Sequence, residues 1–261
     1  MKIRFATLLT LAWFFFSATC QAAQGQIMSW DVDGVQRQAI VFVPTSTAGQ
    51  KHPLVFAFHG HGGRMQGVAR GMDFQDKWPD AIVVYPQGLP TTTPKDPAGT
   101  RPGWQLDAGE QGDRDLKFFD KMLADLKSKY PVDDKQIYAT GFSNGSAFTY
   151  LLWAERGKTF AAFGITSGRI GASGKLNPAR PAVIIAGQSD KVIDFTIQQS
   201  AIDTVKQVDK VSATGQACGT GCTTYASTSN TPVTTYIHDG GHVIPPWGPQ
   251  DIVDFFKAHK Q

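Results

Sequence analysis

Cysteine is scarce in this chain, with three residues in 261, at positions 20, 218 and 222. That rules out a disulfide-built scaffold and leaves too few thiolates for a structural zinc centre. An excess of one charge is missing too, with 25 Lys and Arg against 22 Asp and Glu. A polybasic surface for nucleic acid is therefore excluded as the organising feature. No internal repeat, low-complexity tract or linker marks a second domain. Nor is there an apolar run long enough to span a bilayer: residues 5–16 reach little more than half of the roughly 20 residues a helix needs.

That short run has its own meaning. Lys2 and Arg4 precede it, and the small residues Ser17, Ala18, Thr19, Ala22 and Ala23 follow. This is the order of a secretory signal peptide over residues 1–23, cleaved after Ala22 or Ala23. A lipid anchor on Cys20 is the weaker reading, because Ser17-Ala18-Thr19 matches a lipobox poorly. Cleavage leaves a catalytic-size unit, residues 24–261, that is secreted or periplasmic and has no membrane span. Loss of Lys2 and Arg4 brings the balance to about +1. Cys218 and Cys222 then pair in an oxidising compartment around Gly219-Thr220-Gly221. So short a loop stiffens the chain locally and constrains little of the unfolded state.

Elements alternate along the mature chain. Residues 27–43 read as two strands, 53–58 and 81–85 as buried strands, and 68–77 as a weak helix between them. Apolar residues at Leu116, Phe119, Leu123 and Leu126 predict an amphipathic helix over 113–130. Further strands are expected at 137–142, 160–166, 181–187 and 234–238. Helices follow at 195–208 and 251–259, and residues 212–230 read as a Ser/Thr/Gly-rich connection. Strands alternating with helices predict a single α/β domain with a mostly parallel central sheet covered by helices on both faces. Loops at the strand C-terminal ends then carry the site. The long loop at 86–112, with Trp104 in it, is expected over that site. Trp104 either walls the substrate or pins the loop to the core.

One pentapeptide organises the rest: Gly141-Phe142-Ser143-Asn144-Gly145, between a strand pattern and a helix pattern. A strand that turns directly into a helix lifts the Ser143 hydroxyl off the sheet at a helix N-terminus, and the flanking glycines permit the close packing this needs. A serine nucleophile needs a base, and the base an orienting acid, in the chain order Ser, Asp or Glu, His. After strand 182–187 comes Asp190, favoured over Asp194, which reads as a helix N-cap. After the last strand comes His242, preceded by two glycines and favoured over His238 inside the strand. Donors for an oxyanion are the Asn144 amide and an amide of the His59-Gly60-His61-Gly62-Gly63 turn, with His61 nominated and Gly60 or Gly62 as alternatives. A metal held by His59 and His61 is the competing reading; it wants a third ligand and leaves the glycines unexplained.

These motifs, with Tyr85-Pro86-Gln87-Gly88 and Gly187-Gln188-Ser189-Asp190, resemble the secreted α/β-hydrolase esterases that include feruloyl esterases, acetylxylan esterases and short polyhydroxybutyrate depolymerases. The resemblance runs from about residue 27 to the C-terminus. It implies the α/β-hydrolase fold, a Ser143–His242–Asp190 triad, no metal or other cofactor, and phenolic, acetylated-polysaccharide or polyester substrates. Two departures stand beside the site. Ser146 replaces a common glycine, and Val243-Ile244-Pro245-Pro246-Trp247 replaces a Thr-Trp-Pro-Gly sequence. The expected activity is serine carboxylic-ester hydrolysis, feruloyl-type first, since Trp104 and Trp247 are candidates to stack an aromatic acid. A serine peptidase and a non-catalytic binding protein on the same scaffold are the readings from other classes.

Overall fold

A computed structural model describes residues 25–45, 49–172 and 175–261. The predicted leader, residues 1–23, lies outside the described residues. Strands β1 (Gln26–Val32) and β2 (Val35–Phe42) form a hairpin. Strand β3 (His52–Phe58) is buried along its whole length. Helices α1 (Met65–Met72) and α2 (Phe74–Lys77) lead into β4 (Ile82–Pro86). The predicted single helix is broken at Asp73, which adopts a left-handed conformation (φ 51°) that Asp tolerates better than most residues.

The long loop carries a two-strand ribbon of β5 (Leu89–Pro90) and β6 (Pro102–Gly103). Helix α3 (Arg114–Lys129), strand β7 (Val132–Phe142) and helix α4 (Asn144–Arg156) follow, then β8 (Ala162–Thr166) and β9 (Ala182–Gly187). Helix α5 (Phe195–Val208) precedes β10 (Gln216–Gly219), β11 (Cys222–Tyr225) and β12 (Val233–His238), and α6 (Gly248–Ala258) closes the chain.

The main sheet runs β1-β2-β4-β3-β7-β8-β9-β12-β11-β10. Strands β4, β3, β7, β8, β9 and β12 are parallel, with antiparallel pairs at the two edges. Leu54, Phe56 and Phe58 of β3 pack on one face with α3, α4 and α5; Val55 and Ala57 pack on the other with α1 and α6. Two-sided burial is why the central strands read as continuous apolar runs.

Residues 212–230 are more than the connection predicted: they contain β10 and β11, which extend the sheet beyond β12. All residues of β10 are exposed, so the segment lacks the apolar alternation that marks a half-buried strand. The Cys218–Cys222 disulfide closes the turn of this hairpin.

Candidate active site

Parallel strands put their C-terminal ends on one edge, and the predicted site residues follow those ends. β7 runs into α4 through Ser143, whose φ of 57° and ψ of −119° are strained for a residue with a side chain. The strain is held by close packing. A Cβ on Gly141 would lie 2.3 Å from the Gly145 carbonyl carbon, and one on Gly145 2.3 Å from the Phe58 oxygen. The Ser143 N–H donates to Thr166 O of the neighbouring strand at 3.0 Å. Ser146 explains its own departure from glycine. Its buried hydroxyl lies 2.6 Å from Gly141 O and 2.8 Å from Thr166 O, and accepts the Thr166 N–H at 2.9 Å. It latches the turn from beneath.

Asp190 follows β9 and His242 follows β12. His242 Nδ1–H donates to Asp190 Oδ2 at 2.7 Å. The other carboxylate oxygen, Oδ1, accepts the Val192 and Ile193 N–H groups at 2.7 and 2.9 Å. Burial opposes ionisation of Asp190, but the bond from His242 and the two amides outweigh it and hold its pKa below the usual range. Among the described residues Asp194 makes no such contact; it stands at the N-cap of α5. His238 stays in β12, where its Nδ1 accepts the Gly240 N–H at 3.1 Å. On the sheet side of the pair, the His242 ring packs on Phe142, with centroids 4.8 Å apart, one residue before Ser143. Among the described residues the Ser143 hydroxyl itself has no hydrogen-bond partner. Catalytic hydrogen bonds are often incomplete without substrate.

The glycine-rich turn after β3 lies against the elbow, since a Cβ on Gly60 would sit 3.2 Å from Ser143 Cβ. Its amides are divided. Gly62 N–H donates to Pro102 O at 2.7 Å and Gly63 N–H to Gly60 O at 2.9 Å, which removes Gly62 from the candidates. The Gly60 and His61 amides have no such partner among the described residues, and neither does Asn144 N–H at the start of α4. His59 serves structure. Its Nε2 accepts the Gly88 N–H at 3.0 Å, so its Nδ1–H donates to Gly60 O at 2.8 Å. Burial pushes its pKa down to about 4, which keeps the ring neutral. His61 Nε2–H instead donates to Asp96 Oδ2 at 3.1 Å. The two histidines thus have separate partners, and the described residues contain no cluster of three or more metal-type ligands.

Trp104 is corrected from candidate substrate wall to core residue. It is fully buried against Phe58 and Phe148, and its indole N–H donates to His59 O at 2.9 Å, so no ring face is left for a ligand. Trp247 is 39% exposed. It packs on Tyr236 beside the disulfide turn, in a hollow of about 600 Å³ with His238, Asp239 and Asp251. The hollow next to the elbow is a different one, about 250 Å³, lined by the glycine-rich turn after β3, the start of α1, Phe142 and Ile244. Residues missed by sequence reasoning include Gln198, which bonds Asp190, and Asp96, which bonds His61. Neither carries a motif; only their contacts reveal them.

Comparison with known proteins decides the family. A probable feruloyl esterase C from Aspergillus clavatus is 30% identical over 202 residues, covering 75% of this chain and 71% of its own. The chain belongs to the feruloyl and acetylxylan esterase group. This esterase is accordingly a carboxylic-ester hydrolase. Feruloyl esterase C from Emericella nidulans is 27% identical over 243 residues, 85% of this chain and 84% of its own. Among solved structures, the acetyl xylan esterase from Aspergillus awamori superposes with a TM-score of 0.68 at 16% identity, over 90% of this chain and 99% of that one, which establishes the α/β-hydrolase fold. No family-level sequence model matches the chain.

Proposed function

We infer that this esterase is a secreted serine hydrolase working through a Ser143–His242–Asp190 triad on feruloyl-type esters of plant cell walls. The observation that carries the reading is the His242–Asp190 bond, with the imidazole packed on the residue preceding a strained serine. With substrate bound, His242 Nε2 takes the Ser143 proton as Ser143 Oγ attacks the ester carbonyl. Ionised Asp190 holds the Nδ1–H tautomer and stabilises the imidazolium. The amides of Asn144 and His61, with Gly60 the remaining alternative to His61, donate to the tetrahedral oxyanion. His242 then protonates the departing alcohol, leaving an acyl-serine. Water repeats the sequence, giving its proton to His242 and releasing the acid. No cofactor takes part.

The feruloyl preference rests on the relatives' names and on the hollow beside Phe142 and Ile244, which offers apolar surface to a phenolic acyl group. Acetylated xylan and hydroxybutyrate oligomers are the alternative substrates. Trp247 stands outside that hollow, so its exposed ring is assigned to the polysaccharide portion of the substrate in place of the aromatic acid. Secretion rests on residues 1–23 and on the disulfide. The test is a comparison of kcat/KM on methyl ferulate, p-nitrophenyl acetate, acetylated xylan and hydroxybutyrate oligomers, for the parent and Ser143→Ala. Loss of at least a thousandfold on every ester is expected in Ser143→Ala, with methyl ferulate the best parent substrate. Undiminished hydrolysis by Ser143→Ala would overturn the triad.

A further inference from the structure

The two amides assigned to the oxyanion come from segments distant in the chain, yet their side chains meet at one backbone position of a third segment. A Cβ built on Gly103 would lie 2.7 Å from His61 Nδ1 and 2.9 Å from Asn144 Oδ1. Such contacts are too short for a real side chain, so only glycine lets both residues approach. Gly103 belongs to β6, in the ribbon of the long loop.

Each oxyanion residue is also hydrogen-bonded to that loop. Asn144 Oδ1 accepts the Trp104 N–H at 2.7 Å, and Asn144 Nδ2–H donates to Trp104 O at 3.0 Å, a two-point clamp on one residue. On the other side, Gly62 N–H donates to Pro102 O and His61 Nε2–H to Asp96 Oδ2. Asp96 is itself held by the Arg101 N–H at 2.9 Å. The loop is then fixed to the core by the buried Trp104 ring and its bond to His59 O. Contacts from both halves of the oxyanion site thus converge on residues 96–104.

We propose that the 87–104 loop is a template that sets the separation of the two oxyanion amides, with Gly103 at the contact point and Asp96 as a positioning residue. This rests on the oxyanion assignment given above. Oxyanion donors act on the tetrahedral state and little on bound ester, so a shift in their spacing must appear in kcat and leave KM nearly unchanged.

The test compares Gly103→Ala, Asp96→Ala and Asp96→Asn with Gly71→Ala, a control on α1 where a Cβ meets open space. The readouts are methyl ferulate kinetics, near-UV circular dichroism, and inhibition by a phenylboronic acid, which adds to a serine hydroxyl to form a tetrahedral anion. Gly103→Ala and Asp96→Ala are expected to lose about tenfold or more in kcat, part of the roughly hundredfold to thousandfold worth of one donor. KM should stay within about twofold, boronate affinity should fall in parallel with kcat, and Asp96→Asn, which keeps an acceptor for His61, should recover most of the loss. If Gly103→Ala does not fold, Asp96→Ala decides. Native-like spectra with kcat within about twofold of the parent, or losses confined to thermal stability, would overturn the template. Activity retained in Ser143→Ala would instead remove the triad on which the inference stands.

Discussion

Gln198 Nε2–H donates to Asp190 Oδ2 at 3.0 Å, the same oxygen that accepts from His242. The buried amide also donates to Ile193 O at 2.7 Å, which fixes its orientation. Asp190 is therefore held from three sides: by the loop amides, by α5 and by the imidazole. Gln198→Leu should free the carboxylate to rotate while keeping the helix apolar contacts. The expected result is a kcat/KM loss of roughly threefold to tenfold, carried in kcat, with a stability loss of about 2 kcal/mol, the scale of a hydrogen bond to a charged group. Steady-state kinetics beside urea unfolding would measure both; unchanged kcat would leave Gln198 a purely structural residue.

Ser146 lies under the elbow and supplies the partner of the Thr166 N–H. Ser146→Ala strands that buried donor and removes the hydroxyl proton shared between Gly141 O and Thr166 O, so stability should fall by about 1–3 kcal/mol. The strained Ser143 backbone loses its latch at the same time. A thermal or urea midpoint equal to the parent's would contradict this account of why serine stands there.

Asp209 predicts a pH dependence remote from catalysis. Its carboxyl is wholly buried at the end of α5, with Oδ1 accepting the Arg180 N–H at 2.8 Å and Oδ2 unpartnered among the described residues. Burial, opposed by Arg180, pushes its pKa up to about 8 from an ordinary 3.8. A carboxyl that holds its proton more tightly when folded contributes stability that is complete below the unfolded pKa. That contribution is lost as pH rises toward 8. Asp209→Asn removes the cost of ionisation. It should match the parent near pH 4 and exceed it above pH 8 by on the order of 5 kcal/mol in urea unfolding. Parallel stability curves for the two proteins across that range would refute the assignment.

The polysaccharide role proposed for Trp247 is tested by separating polymer binding from chemistry. Trp247→Ala should raise KM on feruloylated or acetylated xylo-oligosaccharides about threefold to tenfold, the worth of one aromatic contact. Methyl ferulate, which carries no sugar, should be hydrolysed as before. Equal losses on both substrates would place the ring at the acyl group.

The amino-acid sequence by itself determined the parallel core and the order of its strands and helices. It also singled out Ser143, Asp190 and His242, because local patterning and a strand-to-helix turn between glycines are written in neighbouring residues. Trp104 was ambiguous there, since a loop tryptophan reads the same whether it faces substrate or core; only packing against Phe58 and Phe148 settled it. The β10–β11 hairpin was invisible because an exposed edge strand needs no apolar alternation. Gln198, Asp96 and Gly103 became visible only in three dimensions. Their roles are contacts between distant segments, and long-range proximity leaves no period, cap or motif in the chain.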